Sequence, residues 1–541
     1  MRKEIRRIVL TNAVKYNGKA NAGSIIGTLI QLHPEVKDKI KDFMKEINEQ
    51  VNKINKLSLD EQKRELENLG GAEEIKREER GMFDFLGIKK GDKIITGFPP
   101  GPEKYPHIGH AKAALINYLL AQEYNGEFIP RFEDTNPELV KKEFYDILLD
   151  NMAWLGVKWK KWYYASDFME EYYKSAEKLI KNGEMYVCYC DQETTSMHRK
   201  KGTECECRNN NKQLEKWNKF FKAKVGSSVV RLKIDMKHKN STMRDPAMFR
   251  IINTPHARCG KKYRVWPTYD FQNAFMDGKF KITHRLRTKE FEMRAELQRY
   301  IQKLLGFPIT HTYEFGRFNM QGVPSSGRII REGIAKKKFI GWDDPRLTTI
   351  VALRRRGFLP EAIKEFVLST GISKADSTIT WGDLIIRNKR ILDSTAKRYF
   401  FIDKPKKVKI KDVVNKIIKV NLHPEKDLGV RSFKIDGEFY VGDKIEKDKM
   451  YRLMHLFNFK DRKFVSDRYD QKLEAKIIHW LPIKQTVNVE IFMDNGKWIK
   501  GLGEVGLKEV KVGEVIQFER FAFCRLDKKI KNTYQFWFTH R

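Results

Sequence analysis

Two histidines with an isoleucine and a glycine between them, His107, Gly109 and His110, offer the chain's most pointed chemistry. They follow the apolar pair Ile94 and Ile95 and precede a helical stretch from Ala111 to Tyr124, so the spacing predicts a strand turning into a helix. First-turn amides of a helix point outward unpaired, the helix dipole is positive there, and imidazoles donate hydrogen bonds to phosphoryl oxygens. Glycine lets a nucleotide approach the backbone, so a phosphate-bearing ligand is the expected guest. A second constellation is the pair of hooks Cys188/Cys190 and Cys205/Cys207, fourteen residues apart. Four thiolates suffice for a closed tetrahedral site, so a structural Zn²⁺ is expected, with four free thiols as the alternative. Cys259 and Cys524 stand alone and read as small hydrophobes.

The elements that must position these groups are legible as an alternation. After the strand-turn-helix unit come an apolar strand, Phe128 to Phe132, an acidic turn, and a helix from Lys141 to Leu155, the pattern of a parallel α/β sheet with crossover helices. Residues 187–260, with the cysteine hooks, interrupt it as an insertion; sheet-like pattern returns at Tyr263 to Pro267 and Phe280 to Leu286, followed by an amphipathic helix from Glu290 to Leu305. Glu35 to Leu69 is a helical preface, Asp343 to Phe401 is helical, and beyond Lys404 short strand-like runs predict one or two all-β barrels or sandwiches. At 541 residues the chain should form about three or four domains. Its 106 Lys+Arg against 71 Asp+Glu leave a formal charge of +35, which points to a polyanionic partner unless it reflects only lysine-rich solvated helix faces. No segment approaches the roughly 18 to 20 apolar residues that span a bilayer, and the first residues lack a secretion signal's apolar core, so a soluble, cytoplasmic protein is expected.

Five motifs occur in a telling order: His107-Ile-Gly-His110, Arg131-Phe-Glu-Asp-Thr-Asn-Pro137, Trp266-Pro-Thr-Tyr-Asp270, Ile282-Thr-His-Arg-Leu-Arg-Thr288 and Gly341-Trp-Asp-Asp-Pro-Arg346. With Phe518 to Phe521 and Arg525 to Asp527 in the tail, the chain from about Asp92 onward resembles class I glutamyl- and glutaminyl-tRNA synthetases of archaeal type. The resemblance implies a multidomain α/β plus all-β protein. Its expected parts are an N-terminal helical extension (1–90), a Rossmann-like catalytic domain (91–186 and 261–320) split by an acceptor-stem insertion with the zinc site (187–260), a signature loop with a helical stem-contact domain (321–402), and a β-barrel anticodon region (403–541). It also implies ATP-dependent, Mg²⁺-assisted ligation of glutamate to tRNA-Glu through a glutamyl-adenylate; whether tRNA-Gln is a second acceptor is left open by the sequence, and a monomer is expected. His107, Gly109, His110, Ser325, Ser326 and Arg328 would hold ATP, and His107, His110 and Arg328 would stabilise the reacting phosphate. Glu133 would face the α-amino group and Tyr269 would close the pocket. Arg287, at a position where glutaminyl enzymes carry Cys, would grip the side-chain carboxylate. Trp342, Arg346, Arg354 and Arg355 are the expected tRNA contacts.

Four departures fall at the same site. The arginine usual before the first Phe-Pro is Gly97, the residue between the two prolines is Gly101, the glycine before the tyrosine is Lys104, and the second signature loop reads Ser325-Ser-Gly-Arg328 instead of a Lys-Met-Ser-Lys type. Arg328 can replace a lysine's charge but not its compact geometry. The loss at 97 calls for Lys104 or another cation in compensation. The competing readings are a glutaminyl enzyme, against which Arg287 argues, and a tRNA-binding paralogue that keeps the scaffold without catalysis.

Overall fold

A capping box opens the last helix of the N-terminal region: the Ser58 hydroxyl accepts from the Glu61 amide and the Glu61 carboxylate accepts from the Ser58 amide at 2.8 Å. The computed structural model describes residues 1–71, 81–89, 91–324 and 326–541, and the chain divides into two units, Met1–Leu86 and Gly87–Arg541. The first unit carries α1 (Arg2–Lys15), α2 (Ala22–Leu32), α3 (Ile40–Ile54) and α4 (Leu59–Asn68) around a core of Ile5, Val9, Ile25, Leu29, Ile47, Ile54 and Leu66. Helices α1 and α2 extend the expected helical preface toward the N-terminus. The two glycines and the β-branched residues of α2 read against a helix, and burial of Ile25 and Leu29 overrides that propensity.

The second unit is built on five parallel strands. In chain order they and their helices are β1 (Ile95–Phe98), α5 (Ile108–Glu123), β2 (Glu127–Phe132), α6 (Lys142–Trp154), β3 (Tyr163–Tyr164) and α7 (Met169–Lys181). An interruption follows: β4 (Met185–Cys188), α8 (Gln192–Lys201), α9 (Gln213–Phe220), β5 (Val229–Leu232), β6 (Ala247–Ile251) and β7 (Val265–Pro267). The core then resumes with α10 (Tyr269–Lys279), β8 (His284–Thr288), α11 (Glu292–Leu305) and β9 (His311–Phe315). The sheet order β3-β2-β1-β8-β9 reverses direction between β1 and β8. Those two strands share one paired position, Thr96 opposite His284, and then splay. The amide of Asn117 on α5 fills the gap, accepting from the Leu286 amide at 3.0 Å and donating to the Leu286 carbonyl at 2.7 Å. Ligand crevices in open α/β sheets form at such reversals, beyond the carboxyl ends of the strands. Gly126 makes the tight turn into β2: a Cβ there would stand 2.2 Å from the Ile94 carbonyl oxygen.

The interruption is its own antiparallel sheet, β4-β5-β6-β7. Its last strand is the Val265–Pro267 run, which the sequence pattern assigns to the returning core, so the inserted sheet reaches from 185 to 267. After it, β10 (Phe318–Met320), α12 (Gly327–Ala335), α13 (Ile350–Arg356), α14 (Pro360–Ser369), β11 (Ser377–Ile379) and α15 (Trp381–Thr395) form the mainly helical region. The all-β tail begins with β12 (Arg398–Tyr399) and β13 (Phe401–Ile402), which lie at opposite edges of one seven-stranded sheet with 486–492, 498–504, 515–518, 522–530 and 533–540. One short segment serving both edges nearly closes the sheet into a barrel, and the intervening strands 406–482 surround a second core. Phe518, Phe523, Trp537 and Phe538 are all buried; Tyr469 and Trp498 are exposed aromatics of the tail.

Helix α13 joins the helical region to the barrel. Arg355 donates to Asp343 at 2.6 Å and to both oxygens of Asp527, and its guanidinium lies 3.9 Å from the Trp537 ring centre. Arg356, buried, donates to the carbonyls of Thr539 (2.9 Å) and Pro345 (3.1 Å). Replacing Arg356 with Ala leaves two buried carbonyls unpaired and should cost about 2–4 kcal/mol. Denaturant unfolding of Arg356→Ala checks this, and a change below about 0.5 kcal/mol would refute the clamp.

Candidate active site

A cavity of about 580 Å³ opens at the carboxyl ends of β1, β2 and β8, where the sheet order reverses. One wall is the histidine turn. His107 is the N-cap of α5, and its Nδ1 accepts the Gly109 amide at 3.0 Å; His110 Nδ1 accepts the His107 amide at 3.2 Å. A neutral imidazole whose Nδ1 accepts must carry its proton on Nε2, so both rings are Nε2–H donors. Burial, aided by the positive charge of Lys104, lowers the His107 pKa to about 4, and burial pushes His110 well below its ordinary value. Both rings are therefore uncharged at neutral pH. Gly109 is required by this geometry, because a Cβ there would stand 2.8 Å from His107 Cε1. The turn is held from outside by two backbone bonds, Ile108 N–H to Thr348 O at 3.1 Å and Ile350 N–H to Pro106 O at 2.8 Å.

The opposite wall is a buried charge cluster. Glu133, just beyond β2, accepts from the Asn273 amide and lies 3.6 Å from Arg131; burial raises its pKa to about 7 against the pull of Arg131 and Arg285. Arg131 sits 2.7 Å from Asp277, and Arg285 donates to Asp277 and to Asn273. Tyr269, the first residue of α10, faces the cavity with its ring 5.4 Å from that of Phe291, and burial raises its hydroxyl pKa. Arg287 also lines the cavity. It donates to the Gln298 amide oxygen at 2.8 Å and to the Phe291 carbonyl at 3.2 Å, with Glu314 3.8 Å from its Nε.

The structure thus brings His107, Gly109, His110, Glu133, Tyr269 and Arg287 to one cavity. It leaves the second signature loop at its margin. Ser325 lies outside the described residues; Ser326 precedes α12, and Arg328 is 75% exposed and paired with Glu332. Lys104 lines the cavity beside His107 and approaches Gly327, which puts its charge at the histidine end. Of the expected tRNA contacts, Trp342 stacks on Tyr105 at 5.1 Å, Arg346 is folded onto Asp344 in its own loop, Arg354 is half-exposed and paired with Asp150, and Arg355 is spent on the barrel clamp. Sequence reasoning missed Asn117, Gln272, Asn273, Asp277 and Arg285. The available signal was the density of polar residues on α10, whose surroundings are otherwise apolar: Phe271, Ala274, Phe275 and Met276 are all buried.

In the inserted sheet, the four sulfurs of Cys188, Cys190, Cys205 and Cys207 lie within 4.8 Å of one another, with Cys188 and Cys205 at 3.9 Å. Zinc with bonds of about 2.3 Å needs sulfurs roughly 3.8 Å apart, so the thiols fit a tetrahedral ion. The Tyr189 amide donates to Cys207 Sγ, the kind of contact that steadies a ligating thiolate. No disulfide joins them.

Two measurements follow from this geometry. Elemental analysis should find about one zinc per chain, and chelation or Cys205→Ser should lower Tm by several degrees; metal-free protein of unchanged Tm would refute the site. His107, with its folded pKa near 4 against an ordinary 6.5, binds fewer protons folded than unfolded in between. Its contribution is therefore present above pH 6.5 and is lost as pH falls toward 4. Unfolding titrations should show the wild type losing more stability over that window than His107→Gln; parallel losses would count against the buried neutral ring.

Comparison with known proteins places these features in a family. The description "tRNA synthetases class I (E and Q), catalytic domain" matches residues 93–394, and two descriptions of the same family's anti-codon binding domain match 396–479 and 477–527. The chain is 40% identical to a protein of Methanocaldococcus jannaschii named glutamate–tRNA ligase, over 100% of both chains. It is 39% identical to one of that name from Pyrococcus abyssi, covering 97% of this chain and 98% of the other. A strand-order reversal, a histidine turn at its crevice and an inserted antiparallel sheet are all consistent with these matches, and the chain belongs to the class I tRNA synthetases of the E and Q type.

Proposed function

We propose that the chain ligates glutamate to tRNA through a glutamyl-adenylate. The observation that carries this is a single cavity with neutral phosphate donors on one wall and a carboxylate-and-arginine cluster on the other, in a chain 40% identical over its full length to a glutamate–tRNA ligase. An oxygen of the glutamate α-carboxylate attacks the α-phosphorus of ATP and pyrophosphate leaves. A ribose hydroxyl of the tRNA 3′ end then attacks the carbonyl carbon of the adenylate, AMP leaves with the bonding electron pair, and the hydroxyl proton passes to solvent or the departing phosphate. His107 and His110, each with Nε2–H to give and Nδ1 engaged, donate to phosphate oxygens as charge builds there, and do not take up protons.

Glu133 meets the α-ammonium, whose charge draws the carboxyl down from near 7 to the ionised state. Arg287 takes the side-chain carboxylate, and Tyr269 closes the pocket over it. Lys104 lies on the phosphate side of the cavity; Arg328 must leave Glu332 to join it. Mg²⁺, used with ATP in this family, neutralises phosphate charge when bound. The inserted sheet, stiffened by zinc on its four cysteines, would take the acceptor stem, the helical region the inner stem, and the barrels the anticodon of tRNA-Glu or tRNA-Gln. A protein of +35 suits so large a polyanion, and among the described residues no helix is long and apolar enough to cross a membrane.

The test is formation of aminoacyl-tRNA from purified protein, ATP and Mg²⁺, with labelled Glu or Gln and with tRNA-Glu or tRNA-Gln. Glu-tRNA is expected; Gln-tRNA alone, or tRNA binding without product, overturns the reading. His107→Ala should slow activation about a hundredfold, the scale of losing one such donor, and Arg287→Cys should raise the KM for glutamate while leaving that for ATP unchanged.

A further inference from the structure

Gly97 is the position at which the resemblance implies an arginine, and the structure shows what lies around it. A Cβ at position 97 would have ordinary contacts, 3.4 Å to the Ile129 carbonyl oxygen and to Ile282 Cδ1, and 3.6 Å to Arg131 Nη1, so a side chain there would run toward the buried guanidinium cluster. Strands β1 and β8 are parallel with Thr96 opposite His284. The next residue on each, Gly97 and Arg285, therefore share a face of the sheet. Arg285 lines the cavity, is 1% exposed, and has a buried Nε with no hydrogen-bond partner among the described residues. Asp277 does not depend on it alone, because Arg131 holds the same carboxylate oxygen.

A second residue points the same way independently. Gln272, three residues beyond Tyr269 on α10, lines the cavity and is fully buried, yet neither its amide nitrogen nor its oxygen has a partner among the described residues. A buried amide left unpaired at both ends is costly, and a polar guest in the cavity removes that cost. Arg131 and Arg285 also converge on one oxygen of Asp277, so the two guanidiniums share a single close carboxylate partner.

We propose that Arg285 and Gln272 bind a carboxylate of the glutamate substrate, Arg285 supplying from the adjacent strand the cation that position 97 lacks. This rests on the reading of the cavity as a glutamate-activating site. The test is Glu-tRNA formation by the full chain, with glutamate and ATP varied separately, together with Tm. Gln272→Met, of similar volume, should raise the KM for glutamate about tenfold, the scale of one hydrogen bond to a charged group, leave the KM for ATP unchanged, and keep or raise Tm. Arg285→Val should raise the glutamate KM about a hundredfold, and adding Gly97→Arg to it should recover at least tenfold, which a merely structural role for Arg285 would not allow. An unchanged glutamate KM with lowered Tm in Gln272→Met, or no recovery in the double variant, overturns the inference. A wild type that makes no Glu-tRNA overturns the functional reading itself, and this inference with it. If Arg285→Val does not fold, Gln272→Met alone decides.

Discussion

Two backbone hydrogen bonds, Ile108 N–H to Thr348 O and Ile350 N–H to Pro106 O, tie the start of α5 to the approach of α13. The first amides of a helix have no partner within it, and a turn that must keep its donors aimed at a ligand cannot also be left loose. Here one first-turn amide is given to a neighbouring segment and another to the His107 ring, and the turn becomes rigid without a disulfide or metal. The neighbouring segment continues to Arg355 and Arg356, which grip the barrel through Asp527, Trp537 and the Thr539 carbonyl. The stretch from Trp342 to Arg356 thus touches the histidine turn at one end and the C-terminal barrel at the other. Both ends of a long ligand would meet surfaces set by the same short piece of chain.

Electrostatics divides the molecule in a related way. The surface carries the excess of 35 positive charges, while at and behind the cavity wall three buried arginines are met by carboxylates: Arg131 and Arg285 by Asp277, and Arg287 by Glu314. Buried ions are tolerable only in such company. Glu133, beside that cluster, lacks full compensation, which is why burial lifts it to near 7 and why an incoming ammonium has something to gain there.

The alternation of apolar runs and amphipathic stretches, with the order of the five motifs, makes the sheet, the insertion and the barrels legible in the sequence, because periodicity and turn residues are local properties of the chain. The clustering of His107, Glu133, Tyr269 and Arg287 is legible there too, through the motifs that carry them. Which polar residues face one another is not. The polar face of α10 is hidden inside a buried helix, and the placing of Gly97 and Arg285 on one face of the sheet depends on strand register between segments far apart in sequence. Arg355 reads as a phosphate contact because a basic helix face does; only the barrel's Asp527 and Trp537, far along the chain, make it a joint.

The histidine turn has a consequence for ionic strength. Dissolved salt screens charges over about 10 Å at 0.1 M but has little purchase on a neutral N–H held in a half-buried turn. A basic surface loses a polyanion steeply as salt rises, whereas two uncharged imidazoles with fixed tautomers keep the same dipoles toward a phosphate. A polyanion on the basic surface and a phosphate against these two rings would therefore be held by forces of different range, and raising salt would loosen the first contact well before the second.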